Sequence, residues 1–186
     1  MAETPSNMIP LGTRAPAFKL IDTRTNQFLS LEEYKSDVAT VIMFSCNHCP
    51  YVKLIMPKVI EVANNYQAKG IKFICISAND AIAYPQDAPQ AMHTEAEKMH
   101  YPFPYLFDET QEVARAYRAA CTPDFYVFDA ALRCVYRGRF DEATPGNKRP
   151  VTGSDLCSAL DSVLAGKMIE IPQLASVGCN IKWKKA

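Results

Sequence analysis

Residues 46–53, which read CNHCPYVK, have the clearest potential for chemistry in this chain. Cys46 and Cys49 are separated by two residues, with His48 between them and Pro50 directly after the second cysteine. Two thiols at this spacing fit three kinds of site: a redox couple, half of a zinc site, or two buried core residues. Each kind of site would give the protein a different role, and the predicted strands and helices around the two cysteines distinguish between them.

The elements around this stretch favour a redox couple. Residues 39–45 form a continuous apolar run rich in β-branched side chains, which predicts a strand buried on both faces. Apolar residues recur at helical spacing over 50–68, and residues 71–77 predict a second buried strand. This order indicates a parallel βαβ unit. The two cysteines fall where the first strand passes into the helix, at the sheet edge where α/β proteins place their chemistry.

A cysteine at such a junction becomes a stronger nucleophile. The thiolate is the reactive form, and unpaired N–H groups in the first helical turn stabilise an anion. We therefore expect Cys46 at the helix cap as the acidified, exposed nucleophile, and Cys49 one turn in, more buried, as the resolving thiol. Pro50 is tolerated there because its missing N–H costs little. Protonated His48 beside the thiolate would stabilise the reduced form and make the disulfide more oxidising.

Metal and haem sites receive less support from the sequence. Zinc takes about four ligands, often from two CxxC-like pairs, and no second pair is present. A c-type haem site would need histidine at position 50. A non-enzymatic metal-handling module stays open, in which Cys46, Cys49 and Cys121 hold a soft ion such as Cu(I). The redox reading requires neither a metal nor an organic cofactor.

The rest of the chain predicts a mixed α/β sheet. Residues 17–34 indicate a strand pair followed by a brief helix, and residues 89–99 and 108–119 indicate two further helices. Apolar strands on both sides of a turn at 129–131 predict an antiparallel hairpin. We therefore expect central parallel strands, helices on both faces of the sheet and the hairpin at one end.

The last predicted helix is followed by a tail. Thr152 or Ser154 is expected to cap this helix, and Gly166 to end it. The chain shows no internal repeat and no linker. We expect one domain over residues 1–186, with an N-terminal extension at 1–15 and a C-terminal tail at 167–186.

Composition and charge argue against several function classes. The chain has 186 residues and a formal net charge of zero, so it lacks the basic character of a nucleic-acid-binding protein. No segment approaches the roughly 18 apolar residues of a membrane span, and the N-terminus lacks the apolar region of a secretory signal. Seven cysteines are an odd number in a chain that needs no disulfide staples. We therefore expect free thiols and a cytoplasmic location.

A second landmark lies at residues 120–128, ACTPDFYVF, where Pro123 stands between a predicted helix and an apolar strand. Together with CNHCP, the βαβ order and the hairpin-plus-helix ending, it makes the chain resemble the thioredoxin superfamily, which holds a cis-proline loop at this place. The opening LGTRAPAFKLIDTRTNQFLSLEEYKS is similar to alkyl hydroperoxide reductase/thiol-specific antioxidant domains. FSCNHCPYVK, ACTPDFYVFD and GCNIKWKK resemble a group of largely uncharacterised bacterial thioredoxin-like proteins within that branch.

The resemblance implies a thioredoxin-like three-layer sandwich and assigns roles to the site residues. Cys46 matches the thioredoxin nucleophile, Cys49 its resolving partner and Pro123 the cis-proline. Thr122 would offer backbone groups to an extended substrate that docks as an added strand. The implied function is a thiol–disulfide oxidoreductase acting on thiol or disulfide substrates, above all proteins. Its electron donor stays unknown, and we expect a monomer or dimer with no nucleic-acid or membrane partner.

Two positions depart from the patterns of these relatives. Peroxiredoxins place their peroxidatic cysteine at the position of Cys49, after a Pro-x-x-x-Thr-x-x pattern. Here Ile42 and Cys46 stand where that proline and threonine belong, which argues against typical peroxide catalysis. A thiol-dependent peroxidase that uses Cys49 or Cys46 is therefore the alternative function rather than the leading one. Thioredoxins also carry a buried acid before the first cysteine, and here that position is Thr40. Proton transfer would then pass through water or His48.

Two more cysteines are candidate redox thiols. Cys121 adjoins the proline loop and is either a third thiol that can pair with Cys46 or a small buried side chain. Cys179 lies in the tail. A packed tail anchored by Ile181 and Trp183 is favoured there over a mobile resolving cysteine.

The other cysteines and histidines have no predicted chemistry. Cys75 and Cys157 are expected to be structural, and the facing of Cys134 is undecided. His93 and His100 are seven residues apart and are expected on one solvated helix face.

Overall fold

The predicted elements are present in the expected order in the computed structural model, which describes residues 3–185. Met1 and Ala2 of the predicted extension and Ala186 of the predicted tail lie outside the described residues. Along the chain the elements are β1 (Glu3–Pro5), β2 (Lys19–Asp22), β3 (Gln27–Ser30), α1 (Leu31–Tyr34), β4 (Ala39–Phe44), α2 (Pro50–Gln67), β5 (Lys72–Ser77), a 3-10 helix (Pro85–Asp87), α3 (Pro89–Lys98), β6 (Tyr105–Phe107), α4 (Glu112–Ala116), β7 (Cys121–Thr122), β8 (Asp124–Asp129), β9 (Cys134–Gly138), α5 (Ser154–Leu164) and β10 (Val177–Asn180).

The main sheet has the mixed topology that the sequence predicts. Seven strands follow the order β3-β2-β6-β5-β4-β8-β9. β4, β5 and β6 pair in parallel, whereas β8 runs antiparallel to both β4 and β9. The βαβ unit and the hairpin are therefore both confirmed, and β4, which leads into the CxxC, lies inside the sheet.

Helices cover both faces of this sheet, which confirms the three-layer sandwich. Val41 and Met43 of β4 pack on one face into a core cluster with α2, α3 and α5. Ile42 and Phe44 point to the other face and pack with residues of α1 and α4. Side chains alternate along a strand, so a continuous apolar run is what a strand buried on both faces requires. Among the described residues, no helix is both long and apolar enough to cross a membrane.

Helix α2 carries the site because it begins directly after Cys49. Pro50 occupies its first turn, and one side of the helix buries Val52, Ile55, Met56, Val59 and other apolar residues against the sheet. The helix ends before Gly70, which has a φ of +88°. Glycine adopts this left-handed conformation without the steric cost of a Cβ atom, so the predicted terminator is confirmed.

The predicted extension and tail form a second, small sheet. β10 from the tail pairs antiparallel with β1 from the extension on one side and with β7 on the other. In this register Cys179 lies opposite Glu3 and opposite Thr122. The tail strand Val177–Asn180 is therefore held beside the proline loop, with the extension strand Glu3–Pro5 on its other side.

Two local predictions about helix ends were wrong. The helix expected over 108–119 covers only Glu112–Ala116, because Asp108 binds the N–H of Ala114 from outside the helix. The cap of α5 is Gly153, in a left-handed conformation, rather than Thr152 or Ser154. The carboxylate of Asp141 accepts the N–H groups of Thr152 and Gly153 at 2.7 Å each, which replaces a side-chain cap from the helix itself.

The prediction that His93 and His100 share a solvated helix face was also wrong. Nδ1 of His93 lies 3.0 Å from the carbonyl oxygen of Thr23, and the side chain is half-buried. His100 is exposed, but it follows the end of α3 with a φ of +54°. The helix therefore stops before the spacing of seven residues can align the two rings.

Candidate active site

The CxxC lies in the turn between β4 and α2. β4 ends at Phe44, and the N-cap of α2 is Cys49, with a φ of −69° and a ψ of 124°. Cys46 therefore precedes the cap by three residues, contrary to the expectation that it would be the cap itself. Cys46 is also only 2% exposed and Cys49 0%, so the expected exposed nucleophile is buried.

Both thiols meet at Thr122, the residue before Pro123. Sγ of Cys46 lies 3.5 Å from Oγ1 of Thr122. In its thiol form Cys49 donates a hydrogen bond to the carbonyl oxygen of Thr122 at 3.2 Å. The peptide bond between Thr122 and Pro123 is cis, as the resemblance implies. Two stretches that lie more than 70 residues apart in sequence thus form one site.

Negative charge in the reduced couple is favoured on Cys49. A hydrogen bond from the Cys46 thiol lowers the pKa of Cys49 to about 5 against the opposing effect of burial. The Cys179 thiol and the backbone N–H groups of Val52 and Cys179 lower this pKa further. The same bond with Cys49, burial and the charge of Asp87 raise the pKa of Cys46 well above the ordinary range. This direction is opposite to the expectation that Cys46 is the acidified thiol, because Cys46 donates to Cys49 and the further donors, from Cys179 and Val52, also point at Cys49.

The buried carboxylate of Asp87 holds the inner pair of the CxxC in place. It lies 2.5 Å from Nδ1 of His48 and accepts the N–H of Asn47 and the side-chain amide of Asn79 at 2.8 Å each. The ring of His48 also stacks on Tyr84 at a centroid distance of 5.3 Å. Its Nε2 atom is buried without a hydrogen-bond partner among the described residues. The imidazole thus has a defined orientation and one nitrogen free for chemistry.

Asp87 is a residue of the candidate site that the sequence did not reveal. Thr40, which stands where thioredoxins carry a buried acid, is itself buried and accepts the N–H of Ser36 at 3.0 Å. Asp87 is instead 0% exposed and reaches the CxxC from the 3-10 helix. The only sequence signal is an acid between Pro85 and Pro89, which predicts a loop but not the partner of that loop.

A metal ion could draw on three residues of the site. Ligand atoms of Cys46, His48 and Asp87 all lie within 4.8 Å of one another. Two ligands of one tetrahedral zinc ion are roughly 3.4 Å apart, because each lies about 2.1 Å from the metal. The 2.5 Å contact between Nδ1 of His48 and Asp87 is therefore a hydrogen bond, and a metal would have to use Nε2 or displace it. Cys121 takes no part in this group.

One cleft reaches the couple from the surface. A cavity of about 310 Å³ lies between α2 and α3 and is lined by Cys46, Lys53, Glu95, Lys98 and Tyr101 among others. The edge of β7 is closed, because β10 pairs with Cys121 and Thr122. The expectation that Thr122 offers free backbone groups to a substrate strand is therefore wrong for this conformation.

The third thiol at the couple is Cys179. It is 3% exposed and shares a hydrogen bond with Cys49. Burial and this bond raise the pKa of Cys179 to about 12. Cys121 makes long contacts of 3.9 Å with the carbonyl oxygens of Pro123 and Ser176 instead. The packed tail is confirmed, with Ile181 buried. Of the two alternatives for Cys121, its full burial and its contacts fit a small buried side chain, and the described residues show no contact between it and Cys46.

The remaining cysteines lie away from the couple. Cys75 is buried in β5, Cys134 is buried in β9 and Cys157 is half-buried in α5. All seven cysteines are free thiols in this structure. Cys75 belongs to the core, Cys157 packs against it from α5, and Cys134 faces inward, whereas a structural role for Cys75 and Cys157 stays a prediction.

Comparison with known proteins supports a thiol-based assignment. The AhpC/TSA family matches residues 11–137, whereas no curated protein matches the chain. An uncharacterized conserved protein from Geobacillus kaustophilus shares 52% identity and a TM-score of 0.98, over 100% of this chain and 98% of that chain. A hypothetical protein from Sinorhizobium meliloti 1021 shares 44% identity and a TM-score of 0.95, over 98% and 100% of the two chains.

A third solved structure is similar in fold alone. The thioredoxin domain of a thiol-disulfide oxidoreductase from Bacteroides vulgatus shares 18% identity and a TM-score of 0.59, over 70% of this chain and 89% of that chain. The three-layer fold and the thiols at its strand-to-helix junction define a thioredoxin-like protein of the thiol-based redox class. With a match over more than half of its length, the chain belongs to the AhpC/TSA family.

Proposed function

We propose that this protein is a thiol–disulfide oxidoreductase whose redox couple is Cys46 and Cys49. The observation that carries the proposal is the meeting of both thiols at Thr122, directly before the cis-proline loop. Because both sulfur atoms contact the same residue, at 3.5 Å and 3.2 Å, a disulfide between them requires little movement. No metal or organic group is needed, because the two thiols supply both electrons.

Access assigns the attacking role to Cys46. Only Cys46 of the two lines the cleft between α2 and α3, whereas Cys49 is enclosed by Thr122 and Cys179. The thiolate of Cys49 accepts the Cys46 proton, and the Cys46 thiolate attacks a substrate disulfide. One substrate sulfur leaves as a thiolate, which is then protonated. Cys49 next gives up its proton and attacks Sγ of Cys46, which releases the second substrate thiol and closes the Cys46–Cys49 disulfide.

His48 and Asp87 support this exchange by position and charge. Asp87 orients the imidazole through Nδ1, which leaves Nε2 to donate or accept a proton beside the couple. A protonated His48 stabilises the thiolate and therefore the reduced form. Pro50 holds the first turn of α2, and Thr122 with Pro123 forms the opposite wall. The partners we propose are thiol or disulfide substrates, above all proteins, for a monomer or dimer in the cytoplasm.

Reduction of insulin disulfides tests the proposal. Wild type, Cys46→Ser and Cys49→Ser are assayed with a dithiol as the electron source, and Cys157→Ser serves as a control thiol away from the site. We expect activity in the wild type and the control, and its loss in both site variants. Cys46→Ser should trap no substrate adduct, whereas Cys49→Ser should accumulate a mixed disulfide at Cys46. Full activity in Cys46→Ser would overturn the assignment.

A thiol-dependent peroxidase is the second candidate, and the lowered pKa of Cys49 at the cap of α2 favours it. A thiolate at this position would attack peroxide directly, as the family resemblance implies for the peroxidatic cysteine. Ile42 and Cys46 still replace the proline and threonine of the peroxiredoxin pattern. Peroxide consumption that is fast and survives Cys46→Ser would support the peroxidase over the oxidoreductase.

A further inference from the structure

The C-terminal strand occupies the edge at which an extended substrate would dock. β10 pairs antiparallel with β7, with Cys179 opposite Thr122 and Asn180 opposite Cys121. The fit is close at Gly178, where a Cβ atom would lie only 2.0 Å from the carbonyl oxygen of Thr122. Only glycine permits this approach. The chain thus lays one of its own cysteine-bearing strands against the proline loop.

The register directs the side chain of Cys179 at the redox couple. Residues directly opposite each other in an antiparallel pair present their side chains on the same face. The side chain of Thr122 contacts Sγ of Cys46, so Cys179 projects to that same side. Cys121 comes one residue earlier and faces the other way, towards the carbonyl oxygens of Pro123 and Ser176. Geometry therefore selects Cys179 rather than Cys121.

Cys49 is in contact with a thiol on each of two sides. Cys46 and Cys179 each lie close enough to Cys49 to shift its pKa, and Cys49 itself contacts the carbonyl oxygen of Thr122, the residue opposite Cys179 in β10. All three side chains belong to the same buried cluster. Within this cluster Cys49 has two possible disulfide partners, one in its own turn and one in the C-terminal strand.

We propose that Cys179 is a third redox thiol and that β10 is a built-in thiol substrate of the couple. This inference rests on the proposed function, because it needs the Cys46–Cys49 disulfide as its starting point. The Cys179 thiol loses its proton and its sulfur attacks Sγ of Cys49. The Cys46–Cys49 bond breaks as the Cys49–Cys179 bond forms, and Cys46 leaves as a thiolate that takes up the proton. The exchange has no net oxidation and requires no further reagent.

The exchange changes which thiol is available at the surface cleft. Before it, Cys46 is held in a disulfide and the cleft presents no free thiol. After it, Cys46 is a free thiol that lines the cleft, while the oxidised pair lies between α2 and β10. The protein can then carry a disulfide and a reactive cysteine at the same time.

Disulfide mapping in glutathione redox buffers tests this proposal. The full-length wild type is equilibrated, quenched in acid, alkylated and digested without reduction, and the linked peptides are identified by mass spectrometry. In the wild type we expect a mixture of molecules, some with the Cys46–Cys49 linkage and others with Cys49–Cys179. In Cys46→Ser we expect Cys49–Cys179 as the intramolecular linkage. Cys179→Ser should retain only Cys46–Cys49. Cys121→Ser is the matched control and should keep both linkages.

Alkylation of Cys46 supplies a readout that does not depend on trapping the new bond. In the partly oxidised wild type, iodoacetamide should modify Cys46 in molecules that carry Cys49–Cys179. This fraction should be lost in Cys179→Ser. Two results together would overturn the proposed role of Cys179. The wild type would form Cys46–Cys49 without any Cys49–Cys179, and Cys46→Ser would link Cys49 only to glutathione or Cys121. The proposal that Cys46 and Cys49 form the redox couple would still stand. Wild type that forms no Cys46–Cys49 bond overturns both proposals.

Discussion

The carboxylate of Asp87 lies 2.5 Å from Nδ1 of His48, so a residue of the 3-10 helix orients the imidazole inside the CxxC. The two residues are 39 positions apart in sequence. Asp87 is also 0% exposed, and it binds the backbone of Asn47 as well. The inner pair of the CxxC is therefore fixed by a buried charge that belongs to a different segment of the chain.

Asp87→Asn should lower the pKa of Cys46 and reduce stability. The variant removes the negative charge that raises this pKa, and it replaces one carboxylate oxygen with a hydrogen-bond donor. Loss of a bond to a buried charged group should cost about 2 kcal/mol. Urea unfolding and the pH dependence of thiol alkylation measure the two effects. Asp37→Asn, at an exposed position, is the control, and equal behaviour of both variants would contradict the role of Asp87.

Cys46→Ala should raise the pKa of Cys49 above its value of about 5, because it removes the hydrogen bond that lowers this pKa most. The ultraviolet absorbance of the thiolate, followed against pH in the reduced protein, gives the titration. Cys157→Ala should leave the curve unchanged, since Cys157 lies in α5 away from the couple. An unchanged titration in Cys46→Ala would show that the helix cap alone acidifies Cys49.

Stability of the reduced protein should depend on pH through Cys49. Its pKa is lowered from about 9 to about 5 in the folded state, so the folded protein binds fewer protons than the unfolded chain between these values. The stabilisation is fully present above about pH 9 and is lost as the pH falls towards 5. Urea unfolding under reducing conditions should show this slope. Cys49→Ser should flatten it, and an equal slope in the variant would assign the effect to other groups.

His48→Gln should make the couple more reducing. A protonated imidazole beside the couple stabilises the thiolate, so its removal destabilises the reduced form. We expect a wild-type potential above about −270 mV and a shift in the variant of about 30 mV to more negative values, equivalent to about 1.4 kcal/mol. Equilibration with glutathione measures both potentials. The control is His100→Gln, at an exposed position, and a wild-type potential at or below −270 mV would contradict this role of His48.

Gly178→Ala should loosen β10 from the proline loop. The added Cβ atom would lie 2.0 Å from the carbonyl oxygen of Thr122, so the strand has to move away. Overpacking of this kind costs about 1 to 3 kcal/mol. Gly146→Ala is the matched control, because nothing lies within 4 Å of its added Cβ atom. Limited proteolysis of the tail and urea unfolding should separate the two variants, and a stable Gly178→Ala with a protected tail would contradict the predicted clash.

The main sheet could be predicted because its elements depend on local patterns. The apolar run of β4 and the helical spacing of α2 place the two cysteines at a strand-to-helix junction. Prediction failed where a distant group replaces a local one. Asp141 supplies the hydrogen bonds that a cap of α5 would have made, and Asp108 supplies one for α4 from outside the helix. Such contacts depend on the packed chain and leave no periodic signal.

The sequence by itself determined that a thiol pair stands at the start of a buried helix, within a mixed sheet and with a proline loop to follow. It also indicated the family, through short sequence motifs such as CNHCP and ACTPDF. Only the tertiary structure decided how the thiols differ. The charge falls on Cys49, the surface cleft reaches Cys46, and Cys179 joins them from the far end of the chain. A pKa depends on burial and on hydrogen bonds from every side, and those surroundings exist only when the distant segments are packed together.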